Sequence, residues 1–115
     1  MKKIFLMRHS IPEKGDISNE LIPLSEEGKA LAVSKRNIFS KVDKCFSSPY
    51  RRAMETAECI ADPPVIVEEL HERNIGDARE DFWLKQYEDY DFRNPGGESL
   101  NQVKVRMKTA IDSIV

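Results

Sequence analysis

The chain has 115 residues, with 18 basic and 20 acidic side chains for a formal net charge of −2; 40% of its residues are hydrophobic and 33% charged. That length allows one domain, the interspersed charges exclude a general nucleic-acid binder, which would show a basic face, and no apolar stretch approaches the roughly 18 residues of a membrane helix. Met1-Lys2-Lys3 is basic, but the apolar run after it breaks at Arg8, too soon for a secretory signal, so the expected location is cytoplasmic.

Ile4-Phe5-Leu6-Met7 reads as a short buried parallel strand that delivers Arg8-His9 to its carboxyl end. Ligands of open α/β sheets bind at that edge. A neutral imidazole can act as a nucleophile, and a neighbouring guanidinium offers a planar fork of donors to phosphoryl oxygens. Residues 10 to 24, with Pro12, Gly15, Asn19 and Pro23, form an unusually long loop. Ser25 caps a helix over about 25 to 39, with Glu26 and Glu27 in its first turn and Leu31 and Ile38 as i, i+7 partners on one face.

A second strand is expected at Val42 to Phe46. Ser48-Pro49 then starts a helix whose inward stripe is Ala53, Ala57, Ile60 and Ala61, and Asp62-Pro63-Pro64 stops it. Val65 to Val67 makes a third strand, followed by Glu68, Glu69, Leu70, His71, Glu72 and Arg73. Phe82, Trp83, Leu84, Tyr87, Tyr90 and Phe92 crowd residues 81 to 92 and are expected in the core or a pocket wall. After the turn Asn94-Pro95-Gly96-Gly97, the stripe Leu100, Val103, Met107, Ala110, Ile111 and Ile114 marks the clearest helix. Cys45 and Cys59, with no second pair at metal-ligand spacing, are expected as reduced, packed thiols.

Alternating strands and helices imply a parallel sheet with right-handed crossovers, which places Arg8-His9, Ser47 to Arg52 and Glu72 along one edge. Arg51 and Arg52 fall in the first helical turn after Pro49, where free amides and the positive dipole end already favour an anion.

Five segments in order resemble a known family. Leu6-Met7-Arg8-His9, Pro23-Leu24-Ser25-Glu26-Glu27-Gly28, Ser47-Ser48-Pro49-Tyr50-Arg51-Arg52-Ala53 through Thr56-Ala57, Leu70-His71-Glu72-Arg73-Asn74-Ile75-Gly76, and Gly96-Gly97-Glu98-Ser99 are similar to the signatures of the histidine phosphatase or phosphoglycerate mutase superfamily. The resemblance implies an α/β fold, a three-layer α/β/α arrangement with a mostly parallel sheet, in one histidine phosphatase-like domain over residues 1–115. It implies a double displacement without metal or other cofactor, in which His9 carries a phosphohistidine, Arg8 and Arg52 stabilise the equatorial oxygens, and Glu72 protonates the leaving oxygen. Ser10, Ser48, Arg51 and Arg73 are candidate pocket residues.

Two departures from the family stand out. Ser10 occupies the position of a usual glycine, and a later strand bearing a second histidine does not occur within the 115 residues, where the other histidine is His71. The expectation is therefore that the chain is the front part of a longer protein. The implied function is hydrolysis of a small phosphorylated metabolite, with no nucleic-acid or membrane partner. Phosphoglycerate mutation and a phosphate-binding module without turnover are the alternatives. Substrate choice is expected to reside in the 10 to 24 loop, the 79 to 95 aromatic segment and the part expected beyond residue 115.

Overall fold

The computed structural model describes residues 2–61 and 63–115; Met1 of the basic Met1-Lys2-Lys3 stretch and Asp62 of the expected helix stop lie outside the described residues. The chain divides into two compact units, Met1–Glu68 and Glu69–Val115. It is an α/β protein with a small parallel sheet and, among the described residues, four α-helices.

In the first unit, strand β1 (Phe46–Ser47) pairs in parallel with β2 (Val65–Ile66), Phe46 opposite Val65 and Ser47 opposite Ile66. Helix α2 (Arg51–Ile60) makes the crossover between them, as a parallel pair requires. Helix α1 (Glu26–Ser34) packs on α2. Ser25 caps it, its hydroxyl accepting from the Gly28 amide at 3.0 Å, and the acidic first turn is as expected. The helix stops at Ser34, and Arg36–Phe39 continues as a 3-10 turn.

Several sequence expectations are corrected here. Ile4 to Met7 form no strand: no ladder pairs with them among the described residues, and all four are exposed, Leu6 at 83%. Apolar character favours a strand, but without a neighbouring strand its amides and carbonyls have no ladder to join. Phe5 instead meets Phe39 edge to face, with ring centroids 5.5 Å apart. On α1 the buried positions are Gly28 and Ala32, whereas Leu31 and Ile38 are exposed. On α2 they are Arg52, Thr56 and Ile60, spaced i, i+4, i+8; Ile60 is buried as expected, whereas Ala53, Ala57 and Ala61 of the same stripe are only half-buried. This face buries polar groups because those groups are hydrogen-bonded, as described below. Tyr50, not Ser48, is the N-cap of α2, and the Ser48 hydroxyl accepts from the Tyr50 amide at 3.1 Å.

The second unit contains α3 (Phe82–Glu88) and α4 (Leu100–Ile114). Helix α4 opens with a reciprocal cap: the Ser99 hydroxyl accepts from the Gln102 amide, and the Gln102 side chain accepts from the Ser99 amide. Ala110 is its buried residue, with Leu100, Val103, Met107, Ile111 and Ile114 half-buried, so this stripe matches the expectation. The aromatic segment does not. Phe82 is buried, but Trp83, Leu84, Tyr87 and Tyr90 are exposed, because α3 turns one narrow face inward, carrying Phe82 and Gln86.

Gly76 and Gly97 hold this unit's loops together. Gly76 has φ +74°, and a Cβ there would lie 2.6 Å from the Pro95 carbonyl oxygen. A Cβ on Gly97 would strike the Ile75 carbonyl. Asn94, buried between them in sequence, donates to the same Ile75 carbonyl at 3.0 Å.

Candidate active site

The base of the 10 to 24 loop is closed by short-range pairing. The Ile11 carbonyl accepts from both the Ser25 amide and its hydroxyl, each at 3.0 Å, and the Glu13 amide donates to the Pro23 carbonyl at 2.8 Å. Gly28 lies against this base so closely that a Cβ would collide with the Ile11 carbonyl oxygen. These contacts fix the exit of the chain segment that carries His9.

The imidazole of His9 is oriented from both sides. Its Nδ1 lies 2.8 Å from the Ser10 carbonyl oxygen. A carbonyl can only accept, so the proton sits on Nδ1. The lone pair of the neutral ring is therefore on Nε2. The Arg52 Nε–H donates to that Nε2 at 3.3 Å. Arg52 is 4% exposed, and its guanidinium also donates to the Asn19 carbonyl at 2.5 Å and lies over the Tyr50 ring, 5.1 Å from its centroid. A buried guanidinium needs such partners. Its position as the second residue of α2 adds the helix's positive end to its own charge.

Ser10, where the resemblance implies a usual glycine, keeps its side chain turned to the scaffold: its hydroxyl donates to the Gly28 carbonyl at 2.8 Å and its amide donates to the Thr56 hydroxyl at 3.0 Å. Arg8 is exposed, and no bond among the described residues draws it toward His9. Arg51 is exposed and pairs with Glu55 at 3.0 Å, while the other oxygen of Glu55 accepts from the Leu24 amide at 2.7 Å. Ser48 is half-buried in the turn before α2. The structure thus joins His9, Ser10 and Arg52 directly and leaves Arg8 and Arg51 on the surface.

Glu72 and Arg73 belong to the second unit. Glu72 is exposed, on a segment fastened on both sides. Before it, Arg106 on α4 donates to the carbonyls of Glu69 and His71 at 2.7 and 2.6 Å. After it, the Asn74 amide donates to the Glu98 carboxylate at 3.0 Å, and the Glu98 amide donates to the Asn74 carbonyl at 2.7 Å. Arg106 grips both oxygens of Glu98 at 2.9 Å, and this bond, helped by the Asn74 amide, holds the Glu98 carboxyl below the usual carboxylate range. Arg73 turns inward, donating to the Glu98 carbonyl at 3.1 Å and to Gln86 at 2.5 Å, with its guanidinium 5.2 Å from the Phe82 centroid. It serves this unit's packing.

Sequence reasoning assigned no role to Asn19, Thr56, Glu55 or Arg106. Arg106 left a trace: it lies three residues after Val103 and four before Ala110, both of the inward stripe, so its side chain borders that face. The cysteines are both free and half-buried, and burial pushes the Cys45 thiol up. No cluster of three or more metal-ligating side chains occurs among the described residues, and no helix there is long and apolar enough to cross a membrane.

Residues 4–115 match the Histidine phosphatase superfamily (branch 1), and the chain belongs to that family. It is 28% identical to a protein of Hydrogenobacter thermophilus named "Putative phosphoserine phosphatase 2", over 99% of this chain and 67% of that one. It is 26% identical to the phosphoglycerate mutase of Thermus thermophilus, with a TM-score of 0.74 over 91% of this chain and 68% of the other. A mycobacterial glucosyl-3-phosphoglycerate phosphatase, in complex with inorganic phosphate, shares the fold at 23% identity and a TM-score of 0.73, over 92% of this chain and 59% of the other. The chain thus spans 59 to 68% of these proteins' own lengths.

Proposed function

We propose that the chain carries the nucleophile half of a phosphomonoester hydrolase that acts through a phosphohistidine on His9. The observation that supports this most is the facing of the His9 Nε2 lone pair and the buried Arg52 guanidinium at 3.3 Å, with Nδ1 committed to the Ser10 carbonyl. In the proposed reaction, Arg52 exchanges its donor from Nε2 to the oxygens of an entering phosphate. The Nε2 lone pair forms the bond to phosphorus as the ester P–O bond breaks, and the leaving oxygen takes a proton. On the family resemblance Glu72 supplies that proton. Water then attacks phosphorus, its proton returns to the carboxylate, and the P–N bond breaks to release inorganic phosphate. The positive charge on the phosphorylated ring is met by the carbonyl of Ser10 on the Nδ1–H side. Arg8 is proposed as a second phosphate donor, and a small phosphorylated metabolite as the substrate class.

The test is acid-labile phosphohistidine and phosphate release from an aryl phosphate and from phosphoserine, with full-chain wild type and His9→Ala. Release dependent on His9 is the expected result. Release undiminished in His9→Ala overturns the proposal, isomerisation of phosphoglycerate without phosphate release replaces hydrolysis by mutation, and phosphate binding without any phosphohistidine reduces the site to a binding module.

A further inference from the structure

Among the described residues, Thr56 is the side chain that joins the backbones of both partners in the His9 and Arg52 contact. It is 4% exposed, on the inward face of α2. A threonine hydroxyl has a single proton to give and two lone pairs. The proton goes to the Arg52 carbonyl, one helical turn back, at 2.8 Å. A lone pair takes the Ser10 amide proton at 3.0 Å. That amide belongs to the peptide linking His9 to Ser10, and the carbonyl of the same Ser10 receives the His9 Nδ1–H. One hydroxyl therefore anchors Ser10 at its amide, one residue's φ and ψ away from the carbonyl that orients the imidazole, and is bonded to the backbone of the arginine that meets that ring.

We propose that Thr56 is a positioning residue: its hydroxyl holds the Ser10 carbonyl where it selects the Nδ1–H form of His9 and keeps Nε2 aimed at the anion-binding guanidinium. The inference rests on the reading of His9 as the nucleophile. Valine keeps the shape and removes the hydroxyl; the Ser10 amide then loses its acceptor, and the carbonyl beyond it loses one of two anchors, the other being the Ser10 hydroxyl on Gly28. Freed from that carbonyl, the ring reverts toward the Nε2–H form that free histidine favours, which hides the attacking lone pair.

The experiment compares full-length wild type, Thr56→Val and Thr56→Ser by 15N spectra of the histidine side chains above their titration range, with folding checked by circular dichroism. Wild type and Thr56→Ser are expected to show His9 as Nδ1–H, and Thr56→Val to shift it toward Nε2–H. Phosphohistidine formation is expected to fall on the order of ten- to hundredfold in Thr56→Val, with KM changed less than about threefold and with recovery in Thr56→Ser. A Thr56→Val spectrum identical to wild type overturns the inference. If Thr56→Val does not fold, hydrogen exchange at the wild-type Ser10 amide decides: strong protection supports the relay, and exchange at the rate of a free loop amide overturns it. The two readings fail separately. A shifted ring in a chain that never forms phosphohistidine refutes the nucleophile and keeps the relay, whereas phosphohistidine formed equally well by Thr56→Val does the reverse.

Discussion

Arg106→Leu tests how the segment bearing Glu72 is held. The substitution removes two charge-assisted bonds to Glu98 at 2.9 Å and two bonds to the Glu69 and His71 carbonyls. Water can replace Arg106 at the carbonyls, so most of the cost comes from the carboxylate. Bonds to charged groups contribute about 1.5–3 kcal/mol each and are not additive, and unpairing a buried ion costs about 3–5 kcal/mol. The side chains of Arg106 and Glu98 are 14% and 22% exposed, which puts the expected loss near the lower figure, about 3 kcal/mol. Trp83, the chain's single tryptophan, packs 4.6 Å from Phe82 in the same unit and reports its unfolding in urea. Because the Arg106 bond lowers the Glu98 pKa from 4.5, the pair's contribution is complete above the unfolded carboxylate's titration and disappears as pH falls through the folded one. The gap between wild type and variant should therefore shrink below about pH 4.5, and Glu98→Gln added to Arg106→Leu should recover about 1 kcal/mol, the neutral amide being cheaper to leave unpaired. A gap below about 0.5 kcal/mol at pH 7, or one unchanged down to pH 2.5, would refute the reasoning and leave Arg106 a solvated surface charge.

Gly28→Ala should lower the melting temperature, since backbone crowding of about 1–3 kcal/mol outweighs the better helix propensity of alanine; an unchanged or raised value contradicts the close approach to Ile11. Arg52→Gln should weaken binding of inorganic phosphate, followed by calorimetry, by about tenfold or more, with Arg52→Lys recovering part of it for want of the planar fork. Arg51→Gln should change it less than about threefold. Ser99→Ala should cost about 1 kcal/mol in urea unfolding through loss of the α4 cap.

What could be read from the chain was local. Ser25 and its acidic first turn, the end of α2 near Pro63 and the α4 stripe follow from caps, breakers and period, each decided within a few residues. Strand pairing is not local: Ile4 to Met7 have the right character, but character does not supply a neighbour. Burial was misjudged where polar groups meet distant partners. The inward face of α2 carries Arg52 and Thr56 because Asn19, Ser10 and His9, 33 to 46 positions away, satisfy them. No spacing rule identifies such a partner, which is why Thr56 passed as part of a motif and Arg106 as part of a helix.

The stapled base of the 10 to 24 loop separates what must be kept from what can vary. Lys14 to Ile17 lie outside the pairs that close it, whereas Asn19 is tied to Arg52 by its carbonyl. Lengthening the free stretch twofold adds only about 0.6 kcal/mol of closure entropy. Under the proposed hydrolysis, that stretch is where new sequence can be spliced to test substrate preference while the imidazole and guanidinium keep their alignment.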